Sequence, residues 1–139
     1  MVKQAGFVAL LVLLPALAGA QDRAKGASKE ECPTYDLAEQ EQLLTKAPSC
    51  DRAIKLFEIC QRGSSGDLSL GEIVTKKCER DFLSKLSKSE RGRYDGKLKA
   101  CARKYAKESG TMYRSFEAFC AADVARKYSD AALKGGRPK

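Results

Sequence analysis

The chain has 139 residues and a formal net charge of +8, and it contains six cysteines but no histidine and no tryptophan. Without histidine there is no Ser-His or Cys-His nucleophile pair, no imidazole base and no ordinary mixed zinc site. The sequence therefore predicts a protein that is not an enzyme and that uses no metal and no cofactor.

The first twenty residues are typical of a secretory signal peptide. They contain an early Lys3, an apolar run from Ala5 to about Ala18, and the small-residue cleavage site AGA at residues 18–20. The run is shorter than the roughly 20 residues that a membrane-spanning helix needs. Removal of residues 1–20 takes away Lys3 and leaves 119 residues with a net charge of +7, the size of one domain. We expect export to the periplasm or the extracellular space.

The rest of the chain predicts one helical domain between two polar ends. Residues 21–31 lack an apolar period and predict a flexible leader, and residues 135–139 predict a similar tail. Residues 32–134 carry helical periods, without the two-residue alternation of a half-buried strand. We predict the all-α class, as a small bundle of antiparallel helical hairpins that disulfides cross-link.

Five helices are predicted in chain order. The first contains Leu37 and ends near Ala47, because Pro48 disfavours a helical conformation in the residue before it. Ser49 caps a second helix, and the segment GSSGD from Gly63 makes the next turn. The predicted inner stripe of the second helix is Cys50, Ala53, Ile54, Leu56, Phe57 and Cys60.

Two capping boxes predict the starts of the third and fourth helices. Ser69 with Glu72 opens the third, and Ser87 with Glu90 opens the fourth. Gly110 then breaks the chain before a fifth helix. The predicted stripes are Val74, Cys78, Phe82 and Leu86 in the third helix; Tyr94, Leu98, Cys101 and Tyr105 in the fourth; and Met112 or Tyr113, Phe116, Cys120, Val124 and Tyr128 in the fifth.

Six cysteines in a small exported chain predict a disulfide framework. Cys60 and Cys78 are nearly equidistant in sequence from Leu68, and Cys101 and Cys120 are nearly equidistant from Gly110, so each pair is predicted to face across a tight turn. Elimination leaves Cys32 and Cys50 for the third bond. The predicted bonds are Cys32–Cys50, Cys60–Cys78 and Cys101–Cys120.

Positive charge is concentrated in residues 76–107, where twelve basic residues face four acidic ones. Such a segment is either a merely solvated pair of helix faces or a surface that attracts anionic polymers or an acidic protein. The candidate contacts are Arg91, Arg93 and Lys97. Nucleic acid is not favoured, because the tyrosines of this segment belong to the apolar stripe and do not interleave the basic residues.

Acidic residues give no sign of chemistry. Glu79 and Asp81 stand in charged contexts that predict solvated side chains. The segment RGSSGDLSLGE has glycines and acids but fits neither a calcium loop nor a phosphate loop, so we predict a plain turn.

The start of the fifth helix holds two further candidate residues. Tyr113 and Arg114 follow the break at Gly110, and a cation at that position opposes the helix dipole. The apolar stripe does not explain this pair. Tyr113 and Arg114 are therefore predicted to contact a partner.

The run KLSKSERGRYDGKLKACARKYAKESGTMYRSFEAFC resembles the LprI-like family of small, exported, disulfide-linked helical bacterial proteins named for a lysozyme inhibitor. The resemblance covers about residues 50–128 and is closest from Tyr113 to Cys120. It implies an exported binding protein that blocks a cell-wall hydrolase sterically. The chain departs from the family in lacking a tryptophan ahead of the arginine helix and in having more cysteines. We expect either such a lysozyme inhibitor or a basic envelope protein that binds anionic polymers or nucleic acid electrostatically.

Overall fold

The computed structural model describes residues 30–136. The predicted signal peptide and most of the predicted leader lie outside these residues. Within them the chain forms five α-helices, one short 3₁₀ helix at Leu83–Lys85 and no strand, so the all-α class is confirmed. The α-helices are α1 (Leu37–Lys46), α2 (Cys50–Cys60), α3 (Gly66–Glu79), α4 (Lys88–Tyr105) and α5 (Thr111–Leu133). No helix of this part of the chain has the length and apolar character to span a bilayer.

Local sequence sets most of the helix ends as predicted. The last residue of α1 is Lys46, just before Ala47 and Pro48. The hydroxyl of Ser49 caps α2 by accepting the amide of Arg52. The box of Ser87 and Glu90 at the start of α4 is present, with both reciprocal hydrogen bonds formed.

The predicted box of Ser69 and Glu72 is wrong, because α3 begins earlier, at Gly66. The turn before it is held by the carboxylate of Asp67, which accepts the amides of residues 62–64 at 2.8–3.2 Å. Ser69 already lies inside the helix and donates its hydroxyl to the carbonyl of Gly66. No side chain caps the first amides of α3 itself, so the carboxylate orders the turn before the helix.

The predicted continuation of the third helix to Leu86 is also wrong, because α3 ends at Glu79. The ring of Phe82 packs against those of Tyr94 and Tyr128, with ring centroids 5.1 and 5.3 Å away. The hydroxyl of Ser129 donates to the carboxylate of Asp81. The helix therefore ends where Phe82 packs against the two tyrosines and Asp81 contacts α5. The apolar period of the sequence does not reveal this end.

The helix α5 lies against both α3 and α4. Toward α3, Ser115 donates to Asp67 and Ser129 to Asp81, so contacts follow the same order along both helices. Toward α4 the order is reversed. The ring of Tyr94 contacts that of Tyr128, Cys101 is bonded to Cys120, and the ring of Tyr105 contacts that of Phe116.

The predicted inner stripe of α5 is partly wrong. Phe116 is 43 % exposed and Met112 is 51 % exposed. Small side chains occupy the buried face instead, which lets the backbones of α3 and α5 approach closely. The buried residues of α5 are Ser115, Ala118, Ala122, Ala125, Tyr128 and Ser129.

Two of the three predicted disulfides are wrong. The structure joins Cys32 to Cys60 and Cys50 to Cys78 in place of Cys32–Cys50 and Cys60–Cys78. The cause is the position of the turn, since Ser64 lies midway in sequence between Cys50 and Cys78. Cys60 is the last residue of α2, beside that turn, and is bonded to the segment before α1. The bond Cys101–Cys120 is present as predicted.

Candidate binding surface

The outer side of α4 is a cationic surface. The helix buries Tyr94 and Cys101 and exposes most of its remaining residues. Lys99 and Arg103 share one face because they are four residues apart, and Lys107 follows in the turn after α4. All three are exposed. We call Lys99, Arg103 and Lys107 the α4 face.

The cations of the α4 face differ from many others in having no carboxylate partner. None of the three makes an ion pair with a described residue. Ion pairs do neutralise several basic residues outside the segment 76–107: Arg52, Lys55, Arg114, Arg126 and Lys127. The cations of the α4 face outnumber their acidic neighbours, Asp95 one helical turn before Lys99 and Glu108 next to Lys107, so the face attracts an external anion.

The three basic candidates predicted on the fourth helix are all exposed, but they are not equivalent. Arg91 donates to the carbonyl of Leu83 at 2.8 Å and so ties α4 to the 3₁₀ helix. Arg93 donates to the hydroxyl of Ser89 at 3.2 Å. The ammonium of Lys97 lies 5.2 Å from the ring centroid of Tyr128. Arg91 thus has a structural role in addition to its charge.

The two candidates at the start of α5 are half-buried. Arg114 pairs with Glu117 at 2.9 Å, and Tyr113 meets Phe116 edge-on with ring centroids 6.1 Å apart. The carboxylate of Glu117 offsets the unfavourable interaction between the charge of Arg114 and the helix dipole. Because Lys97 lies beside Tyr128, these two candidates and the α4 candidates lie toward opposite ends of α5.

A groove of about 330 Å³ lies between α3, α4 and α5. Its apolar lining includes Gly71, Leu98 and Ala121, and the carboxylates of Glu72, Glu79 and Glu117 surround it. Glu79 is not simply solvated as predicted, because it accepts the hydroxyl of Tyr94 at 2.8 Å. Burial raises the pKa of Tyr94 above its ordinary value, and the hydrogen bond to Glu79 raises it further. Tyr94 therefore stays neutral and serves as a donor.

The described residues contain no group of three or more histidine, cysteine, aspartate or glutamate side chains placed to hold a metal ion. All six cysteines are in disulfides. No cysteine is therefore available as a thiolate ligand or nucleophile.

Sequence reasoning found the charged segment but not the residues that form its outermost face. Lys99, Arg103 and Lys107 were counted among its basic residues and not singled out. The sequence pattern that indicates this face is the four-residue spacing of the three cations, on the side of the helix opposite Tyr94 and Cys101. Comparison of the chain with known protein families, with characterised proteins and with solved structures finds no match.

Proposed function

We propose that this chain is an exported, non-enzymatic binding protein whose α4 face holds anionic polymers of the cell envelope. In the proposed architecture, the hairpin of α4 and α5 is an antiparallel unit, closed by Cys101–Cys120, that presents this face. The single observation that carries the proposal is the exposure of Lys99, Arg103 and Lys107 without carboxylate partners among the described residues. The three disulfides support export, because such bonds persist in oxidising compartments.

Salt dependence tests this proposal. The affinity of the mature chain for dextran sulfate is measured over a range of salt concentrations by a binding assay. Each cation that neutralises a polymer charge releases counterions, so the triple variant K99Q/R103Q/K107Q is expected to lower the log–log salt slope by roughly 2–3.

A charge-matched variant separates the α4 face from net charge alone. The triple variant K55Q/R126Q/K127Q removes the same charge from residues that are already paired with Asp51 and Asp123. We expect its slope to change much less. Equal losses in the two triple variants, or no polymer binding by the wild type at low salt, would contradict the proposal.

Lysozyme inhibition is the second candidate, and the turn between α4 and α5 favours it. A steric inhibitor needs a projecting feature, and Gly110 lies in open space with Met112 exposed close by. We expect concentration-dependent protection in a lysozyme turbidity assay, weakened by M112E and unchanged by K55Q. Absence of protection at micromolar excess against several lysozyme types would remove this candidate.

A further inference from the structure

Several chain segments meet at one end of the molecule, which we call the turn end. The segment before α1 is joined there to the end of α2 by Cys32–Cys60. The start of α3 is tied to the start of α5 by the hydrogen bond of Ser115 to Asp67 at 2.6 Å. The end of α4 joins them through the contact of Tyr105 with Phe116, whose ring centroids are 6.0 Å apart.

Exposed apolar side chains concentrate at the turn end. Of the six large apolar side chains that are exposed in residues 30–136, four belong to these segments, Leu37 begins α1 beside them, and the sixth, Leu133, ends α5. The side chain of Met112 approaches Gly63, and that of Leu37 approaches Gly66, so the five residues come from neighbouring segments. They are Tyr35, Leu37, Leu68, Met112 and Phe116. Clustering of this kind marks an interaction surface more often than single exposed residues do.

Cations accompany this apolar surface. Arg62 stacks 3.9 Å over the ring of Tyr35. At the end of α4 and in the next turn, Arg103, Lys104 and Lys107 are exposed, against the single acidic residue Glu108. On the α1 side Asp36 and Glu39 are exposed as well, so the positive excess lies beside Met112 and Phe116.

We propose that the turn end docks on an anionic lipid bilayer, with Met112 and Phe116 in the boundary between headgroups and acyl chains and the neighbouring cations on lipid phosphates. Amphipathic surfaces bind membranes in this way, through buried apolar area together with attraction to anionic lipids. The half-buried rings of Tyr105 and Tyr113, next to Phe116, suit this boundary because each has an apolar body and a polar tip.

A bilayer fits this surface better than a folded partner does. The five apolar side chains project from three separate segments of the chain, at the starts of α1, α3 and α5. A protein partner normally buries its anchors in one tightly packed pocket. A fluid bilayer accepts each side chain separately, so the spacing of the five residues carries no penalty there.

This inference rests on the proposed function, because Arg103 and Lys107 of the α4 face also attract the lipid headgroups. Vesicle co-sedimentation of the mature chain tests it, with phosphatidylglycerol–phosphatidylcholine vesicles compared with pure phosphatidylcholine. We expect binding to the anionic vesicles only. M112S/F116S is expected to weaken this binding by at least about tenfold, because the two polar side chains no longer gain from transfer out of water into the bilayer.

Two matched controls accompany this test: a variant at a second apolar surface, and the binding of a second ligand. Leu133→Ser removes an exposed apolar side chain from the other end of α5 and is expected to leave vesicle binding unchanged. M112S/F116S should keep its affinity for dextran sulfate. Because Phe116 also contacts two tyrosines, circular dichroism checks that the double variant is folded, and M112S alone, which removes no ring contact, repeats the test.

Fluorescence reports the position of the turn end directly. The chain has no tryptophan, so F116W carries the single indole. A blue shift of its emission on anionic vesicles is expected, and L133W should show none.

The outcomes separate this inference from the proposed function. Binding to dextran sulfate without binding to vesicles would overturn the bilayer inference and leave the proposed function standing. Vesicle binding that M112S/F116S does not weaken would overturn the apolar docking. Loss of lysozyme protection in M112S/F116S, without any vesicle binding, would identify a protein as the occupant.

Discussion

Asp67 shows how one side chain organises a turn. The residue is 1 % exposed, and its carboxylate accepts three backbone amides and the hydroxyl of Ser115. Turns rich in glycine and serine often present such amides to an external anion. Here the chain's own carboxylate occupies them, so this turn is not free to bind phosphate.

We expect D67N to lower the free energy of unfolding by about 3 kcal/mol, because the amide cannot accept all of these hydrogen bonds. Ser115→Ala removes one of them and should cost about 1–2 kcal/mol. Asp51→Asn affects only an exposed pair with Lys55 and should change the value by less than about 0.5 kcal/mol. Urea unfolding of the oxidised chain measures all three, and similar losses for Asp67 and Asp51 would contradict this role.

Tyr94 makes alkaline stability a second test at the residue scale. Its pKa is raised in the folded chain, first by burial and then by the hydrogen bond to Glu79. A group of this kind contributes stability that is full below the unfolded-state pKa, about 10 for tyrosine, and is lost as the pH rises above it. We expect the stability difference between wild type and Y94F to shrink above pH 10. Denaturant unfolding from pH 8 to 11 measures it, and a difference that stays constant across this range would contradict the role of Tyr94.

At the scale of elements, α3 and α5 approach too closely for a side chain at Gly71. A Cβ at this position would lie 2.7 Å from the Cβ of Ala118. A Cβ at Gly96 in α4 would meet nothing within 4 Å. The two glycines therefore have opposite roles although both lie inside helices.

We expect Gly71→Ala to destabilise the chain by about 1–3 kcal/mol, because the two helices must separate. Gly96→Ala is expected to stabilise it by up to about 1 kcal/mol through helix propensity. Thermal unfolding of both variants gives the measurement. A higher melting temperature for Gly71→Ala would show that α3 and α5 do not pack as described.

The disulfides show that the sequence predicts cysteine pairing around a turn but does not predict where the turn lies. Cysteines equidistant from a turn were expected to pair, and Cys101–Cys120 around Gly110 is such a pair. The same geometric rule fits Cys50–Cys78, but its turn is centred near Ser64 and not at Leu68. Local sequence predicts a capping box at Ser69, whereas the turn before α3 is ordered by Asp67, which also accepts the hydroxyl of Ser115, a contact made only in the folded chain.

Long-range contacts also explain the differences in the candidate site. Helical period places Tyr94 and Cys101 inside and leaves Lys99 and Arg103 outside, so the cationic face could be predicted in outline. The exposure of Phe116 could not, because it depends on small residues such as Ala118 facing α3. The turn end likewise joins segments far apart in sequence, and no local pattern reports it.

For the whole molecule, the disulfides reinforce a core to which the helices contribute unequally. Three of the six buried residues of α5 are alanines, whereas α1, α2 and α3 supply large buried side chains: Leu44, Ile54, Leu56, Phe57 and Leu70. Loops of this length contribute about 3 kcal/mol per disulfide by restricting the unfolded chain. Three of them are comparable to the roughly 5–15 kcal/mol by which a domain of this size is stable.

We therefore expect full reduction to abolish cooperative unfolding and most of the helical circular dichroism at 25 °C. The double variant C101A/C120A should remain folded, with a loss of about 3 kcal/mol, because the rings of Tyr94 and Tyr128 still join α4 to α5. Circular dichroism and urea unfolding in the presence and absence of a phosphine reductant measure both effects. A reduced chain that unfolds cooperatively at the oxidised midpoint would show that packing alone holds the fold, and would remove the link between this fold and an oxidising compartment.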